Sequence, residues 1–87
     1  MNIKTHTFCG VKYDIDLETC RGYCDNPKGG RPTIYAPQDE GSEYQRLYVA
    51  VHESMHGCDW NKPEAWVTEA SKDITRFLFR LGYRKTM

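Results

Sequence analysis

The sequence predicts an α+β domain in which a small antiparallel sheet of about three strands packs on two helices. Three observations lead to this prediction: apolar and polar residues alternate in the first half, apolar residues follow helical spacing in the second half, and turn-forming residues separate the segments. The 87 residues contain no repeat and no linker, so we expect a single domain over residues 1–87. A core this small is often supplemented by a bound metal.

The first half contains three extended segments. Val11 to Glu18 alternates strictly, as a half-buried strand does, and Arg21 to Cys24 is a short second candidate. A dense group of turn residues, Asp25 to Gly30, follows. The third segment, Thr33-Ile34-Tyr35, is bracketed by prolines, and since proline cannot donate to a ladder, this strand is predicted to lie at a sheet edge.

The first helix is predicted from Glu43 to His56. Ser42 precedes it as a favourable N-cap, and Gly57 supplies the left-handed residue that commonly ends a helix. The run from Leu47 to Val51 is apolar on every side, which indicates a central, buried helix.

The second helix is predicted to follow Asn61-Lys62-Pro63-Glu64, which resembles an N-cap with an early proline and a capping-box carboxylate. Gly82 is expected to end it. Its apolar residues fall on one stripe: Val67, Ala70, Ile74, Phe77, Leu78 and Leu81.

The first helix carries the pattern His-Glu-x-x-His at residues 52–56. Residues four apart share a helical face, so His52 and His56 can bind one metal ion, while Glu53 points toward a water on that ion. Zinc lowers the pKa of a bound water to about 7, and a carboxylate can then accept its proton. The motif predicts one catalytic zinc with Glu53 as general base.

A third zinc ligand must come from downstream, and two glutamates compete for the role. Glu64 follows the inward row of the second helix, whereas Glu69 points away from the apolar stripe at 100° per residue. Glu69 has a different argument in its favour, because Asp73 one turn later would then support a ligand. The direction of the side chains relative to the apolar stripe favours Glu64, with Glu69 as the alternative. Asp73 is expected to orient a histidine in either arrangement.

Charge and hydropathy limit the classes of partner. Twelve Lys and Arg balance twelve Asp and Glu, which argues against nucleic acid. The sequence has no apolar run of membrane-spanning length, and residues 1–6 do not resemble a secretory leader. We therefore expect a cytoplasmic protein with reduced thiols.

The four cysteines are expected to be buried or idle thiols. The alternative to free thiols is a second, structural zinc site, formed by Cys9, Cys20 and Cys24 with His6 upstream, whose spacing is irregular. Cys58 has a further alternative role, since as a fourth ligand after His56 it would turn the site into a non-catalytic, zinc-stabilised module that binds proteins.

The sequence resembles the zincin superfamily of metallopeptidases, closest to minimal gluzincin-like members found among phage and bacterial proteins. The resemblance covers about the C-terminal half and is carried by the residues from His52 to Trp60, Glu64 to Val67, and Ile74 to Arg84.

The resemblance implies a peptide or protein substrate and a twisted sheet packed on the active-site helix. In that family the edge strand of the sheet pairs with an extended substrate, a role that Thr33-Ile34-Tyr35 would take here. The chain has no metzincin extension and no room for a second subdomain, so a protein partner or one narrow substrate is expected to complete the cleft.

Overall fold

Four strands are followed by two helices in the computed structural model, which describes residues 3–19, 21–39 and 41–84. The elements are β1 (Thr5–Phe8), β2 (Val11–Asp16), β3 (Tyr23–Cys24), β4 (Thr33–Tyr35), α1 (Glu43–Cys58) and α2 (Glu64–Arg80). Because the strands and the helices are segregated along the chain, the fold is of the predicted α+β class. Neither helix within these residues has the length and hydropathy needed to cross a membrane.

The sheet corrects the prediction of about three antiparallel strands. It has four strands in the order β1-β2-β4-β3, and β4 runs parallel to β2 while the other pairs are antiparallel. The additional strand arises at Cys9 and Gly10, whose φ angles are 47° and 83°. Two consecutive left-handed residues form a tight hairpin turn, so the chain folds back before Val11.

The prediction that Thr33-Ile34-Tyr35 is an edge strand was wrong, because β4 lies between β2 and β3. The neighbouring prolines stand outside the strand. The carbonyl of Pro32 accepts a hydrogen bond from the Asp14 backbone N–H at 3.0 Å, a role that requires no amide hydrogen. The edges of the sheet are β1 and β3.

α1 packs on the sheet over a core of Tyr13, Cys24, Ile34 and Ala36. At Gly57 the helix lies close against the sheet, because a Cβ there would lie 3.0 Å from Cδ1 of Ile34. The Gly57 carbonyl also accepts a hydrogen bond from the Tyr13 hydroxyl at 3.2 Å. Gly57 therefore lies inside α1, and its small size serves helix–sheet packing rather than the predicted helix end.

The ends of the helices agree only in part with the sequence prediction. Ser42 caps α1, and its capping box is completed by Gln45. Pro63, not Asn61, precedes α2, and no side chain caps that helix. Gly82, with φ 96°, ends α2 as predicted, and the N–H of Tyr83 donates to the carbonyl of Leu78 as in a Schellman motif.

The buried face of α2 differs from the predicted stripe. Val67, Ser71 and Thr75 are its buried residues, spaced four apart along the helix. Half of the predicted apolar stripe faces solvent, with large exposed fractions at Ile74, Phe77 and Leu81, and only Val67 of the stripe is fully buried.

Candidate metal centre

The candidate site lies where α1 faces the β3 edge of the sheet. His52 and Glu53 are buried in the C-terminal half of α1, with 9% and 7% of their surface exposed. A pocket of about 250 Å³ opens beside them. Its lining comes from β3 and the residue before it, from α1 and the loop after it, and from the start of α2: Gly22, Tyr23, Cys24, His52, Glu53, His56, Trp60 and Glu64.

Three side chains converge in this pocket. Nε2 of His52 lies 3.2 Å from Nε2 of His56, as expected for residues one helical turn apart. Glu64 reaches both rings, with Oε1 at 3.1 Å from Nε2 of His52 and Oε2 at 2.8 Å from Nε2 of His56. The structure thus brings together the three residues that the sequence favours as metal ligands.

These distances fit a tetrahedral metal site. Zinc bonds of 2.0–2.1 Å place neighbouring ligand atoms roughly 3.4 Å apart in tetrahedral geometry, close to the separations found here. Two imidazoles and one carboxylate are also a common donor set of catalytic zinc. Among the described residues, no other His, Cys, Asp or Glu side chain joins this group. A fourth ligand would therefore not be a His, Cys, Asp or Glu side chain of the described residues.

Glu64 reaches the histidines because it is the first residue of α2. The short connection after Cys58 returns the chain to α1, and the Glu64 carboxylate extends across the gap with 66% of its side chain exposed. The predicted capping role of this carboxylate is replaced by contact with the two rings. Glu69, the alternative ligand, is exposed and lies outside the group.

Glu53 lies in the same pocket but outside the group of three. Its carboxylate packs against the backbone immediately before β3, where Gly22 leaves space for it: a Cβ at Gly22 would lie 2.9 Å from Oε2 of Glu53. Burial raises the pKa of Glu53 to about 7, while His52 lowers it and the charge of Glu64 raises it. A cation held by the three ligand atoms would lower this pKa again.

Tyr48 occupies the supporting position that the sequence assigned to Asp73. The Tyr48 hydroxyl lies 3.2 Å from Nδ1 of His52, so it can fix the ring with Nε2 toward the pocket. Asp73 is exposed and forms an ion pair with Arg76 at 3.4 Å. The structure does not place Asp73 beside the histidines, because it stands nine positions after Glu64 on α2, about 13.5 Å along the axis.

The cysteines do not assemble a second metal group within the described residues. Cys9 lies in the turn after β1 and Cys24 in β3, which are at opposite edges of the sheet. Cys20 lies outside the described residues. Cys58 is exposed and does not join the two histidines, so it is not placed as a fourth ligand.

Sequence reasoning missed Tyr48 and the contribution of β3. Tyr48 stands four residues before His52, so the i, i+4 rule that relates the two histidines could have identified it. Gly22 precedes a strand, where a glycine indicates that another group approaches the backbone closely. Trp60, whose ring centroid lies 6.1 Å from that of His56, also lines the pocket.

Comparison with protein-family models, curated proteins and solved structures gave no match. Function is therefore inferred from the geometry of the pocket.

Proposed function

We propose that the protein is a zinc-dependent hydrolase and that it cleaves peptide bonds. The observation that carries this proposal is the convergence of His52, His56 and Glu64 in a pocket that also contains the separate carboxylate of Glu53. A site that only stabilised the fold would need no such carboxylate, and it would usually close with a fourth protein ligand.

The donor set favours zinc over the other common divalent ions. Magnesium and calcium prefer six or more oxygen ligands, whereas this group offers two imidazole nitrogens. When bound, zinc supplies a Lewis acid that polarises a carbonyl and lowers the pKa of water to about 7.

Each residue of the pocket has a distinct task in this proposal. Glu53 accepts a proton from the attacking water and returns it to the leaving amine. Tyr48 keeps Nε2 of His52 directed into the pocket through its contact with Nδ1. Trp60 limits access of bulk water beside His56.

The strand proposed to pair with the substrate is β3, in place of β4. Tyr23 and Cys24 form an edge strand that pairs with β4 on one side and lines the pocket. An extended peptide adding to the free edge would present its backbone to Glu53. This strand is only two residues long, which is consistent with a partner or a narrow substrate completing the cleft.

A zinc-stabilised protein-binding module is the alternative function. It shares the three ligands, so metal binding alone does not distinguish it from a hydrolase. What favours the hydrolase is that no fourth His, Cys, Asp or Glu side chain of the described residues closes the site.

The first experiment measures zinc content by elemental mass spectrometry after chelation and reconstitution, beside hydrolysis of a fluorogenic peptide library. We expect one zinc per chain, its loss in His52→Ala, and its retention in His6→Ala, which alters an exposed histidine outside the group. Glu53→Gln should keep the metal and reduce turnover by about 10²–10⁴-fold. Absence of zinc after reconstitution would overturn the proposal, and bound zinc with no hydrolysis would support the module.

A further inference from the structure

The apolar stripe of α2 has no covering element within the described residues. Trp66 is 49% exposed, Ile74 41%, Phe77 62% and Leu81 57%. Their spacing places them, with Ala70, on one helical face that is distinct from the buried face of Val67, Ser71 and Thr75. We call the face formed by residues 66, 70, 74, 77 and 81 the α2 stripe.

One border of the α2 stripe carries an ordered set of charges. Glu69 and Asp73 are followed by Arg76 and Arg80, at intervals of four, three and four residues. All four are exposed and line the same side of the stripe. The border is therefore negative toward the helix N-terminus and positive toward its C-terminus.

We infer that the α2 stripe binds the α2 stripe of a second copy of this chain, with the two helices antiparallel. In an antiparallel pair of identical helices, each border meets its own equivalent on the other copy. With the two-fold axis close to Ile74, Glu69 lies opposite Arg80 and Asp73 opposite Arg76. A parallel arrangement would lose these pairs. The order of the charges therefore favours a second copy of α2 as the partner, and it favours the antiparallel direction of the two helices.

The exposed area also suits a second copy. The four large side chains expose roughly 400 Å² per copy, given that a large aromatic side chain buries about 150–250 Å². This reaches the size of the largest apolar patches on ordinary monomers, which are often functional. Together with the charged border, two stripes approach the roughly 1,200 Å² at the lower limit of specific interfaces, which predicts a weak, reversible dimer.

The Asp73–Arg76 ion pair within one copy does not oppose this arrangement. Its atoms are 3.4 Å apart and both side chains are about two-thirds exposed, so the pair contributes little on its own. The same groups can exchange partners across the two-fold axis. This inference is independent of the proposed hydrolase activity, because none of these residues lines the metal pocket.

Sedimentation velocity over a wide range of concentration tests the dimer. We expect a monomer–dimer equilibrium that Phe77→Glu weakens by more than about 100-fold, since an apolar anchor at the centre of the interface is lost. Ile3→Glu is the matched control, because Ile3 is 46% exposed but lies outside the stripe. Equal weakening by both variants, or a monomer at every concentration, would overturn the inference.

Charge reversal tests the direction of the helices with little risk to folding. Glu69→Arg should weaken the dimer about 10-fold, and adding Arg80→Glu to the same chain should restore it, because each contact is then reversed on both sides. Failure of the double variant to recover would contradict the antiparallel pairing. Binding of a persistent monomer to anionic vesicles would assign the stripe to a membrane surface instead.

Discussion

Gly22 and Glu53 are in such close contact that no other residue fits at position 22 without moving the carboxylate. A Cβ on Gly22 would lie 2.9 Å from Oε2 of Glu53 and 2.9 Å from Cγ1 of Val49. The backbone at Gly22, immediately before β3, thus limits where the carboxylate of the proposed general base can lie. This relationship connects the sheet directly to the chemistry.

We expect Gly22→Ala to reduce peptide hydrolysis by about 10²-fold, because a shift of about 1 Å in a catalytic group costs that much. Zinc affinity should change little, since the three ligand atoms are not displaced. Thermal unfolding will reveal a modest loss of stability from the contact with Val49. Full activity in this variant would show that the function of Glu53 does not depend on its close contact with the backbone at Gly22.

Glu64→Gln should weaken zinc binding strongly, because it removes the only anionic ligand of the group of three. Glu69→Gln, an identical change five residues along the same helix, should leave zinc affinity unaltered. Competition with a chromophoric zinc chelator measures both. If the two variants lost equal affinity, Glu64 would not be a ligand.

Tyr48→Phe should lower zinc affinity by about 10–100-fold, as is typical when the group that orients a metal-binding histidine is removed. Tyr44→Phe provides the control, since Tyr44 lies one turn earlier and packs its ring on Phe79. Its hydroxyl does not contact the histidines among the described residues. A loss of affinity in both variants would point to helix stability rather than orientation of His52.

Cys24 should resist alkylation in the native protein. Burial raises the pKa of its thiol to about 12, and the nearby charges of Glu53 and Asp25 add to the shift. Because the thiolate is the reactive form, iodoacetamide at pH 8 should modify the exposed Cys9 at least about 100-fold faster. Peptide mapping by mass spectrometry gives both rates, and equal rates would contradict the buried position of Cys24.

Gly57→Ala should lower the thermal unfolding temperature. Alanine favours a helix over glycine by about 1 kcal/mol, but its Cβ would lie 3.0 Å from Ile34 and 3.3 Å from Phe8. Overpacking of a core typically costs about 1–3 kcal/mol, so packing is expected to outweigh helix propensity. A higher unfolding temperature would mean that α1 can move away from the sheet at little cost.

The parts of the fold that depend on local chemistry were predictable from the sequence. The capping of α1 by Ser42 and the end of α2 at Gly82 each depend on residues within a few positions. The approach of His52 to His56 likewise follows from helical periodicity. The structure places Glu64, and not Glu69, beside the two histidines, and the sequence favoured Glu64 because a residue's side of a helix can be read from its spacing.

The remainder depended on contacts between distant residues. The hairpin turn places Cys9 in a left-handed conformation, which cysteine rarely adopts and the sequence gives no reason to expect. The inner position of β4 requires parallel pairing with a distant strand. The buried face of α2 contains Ser71 and Thr75, which hydrophobic spacing does not select. The stripe predicted from the sequence instead included four residues of the face that we assign to a second copy: Ala70, Ile74, Phe77 and Leu81.

The order of the strands has a consequence for how the molecule assembles and opens. β3 precedes β4 in the chain but joins the sheet only through β4, while β4 joins only by long-range pairing with β2. We therefore expect β3 to dock last during folding and to have faster amide hydrogen exchange than β2 and β4, the inner strands of the sheet. If β3 separated from β4, the pocket would lose the wall formed by Tyr23 and Cys24, while His52 and His56 would remain on α1.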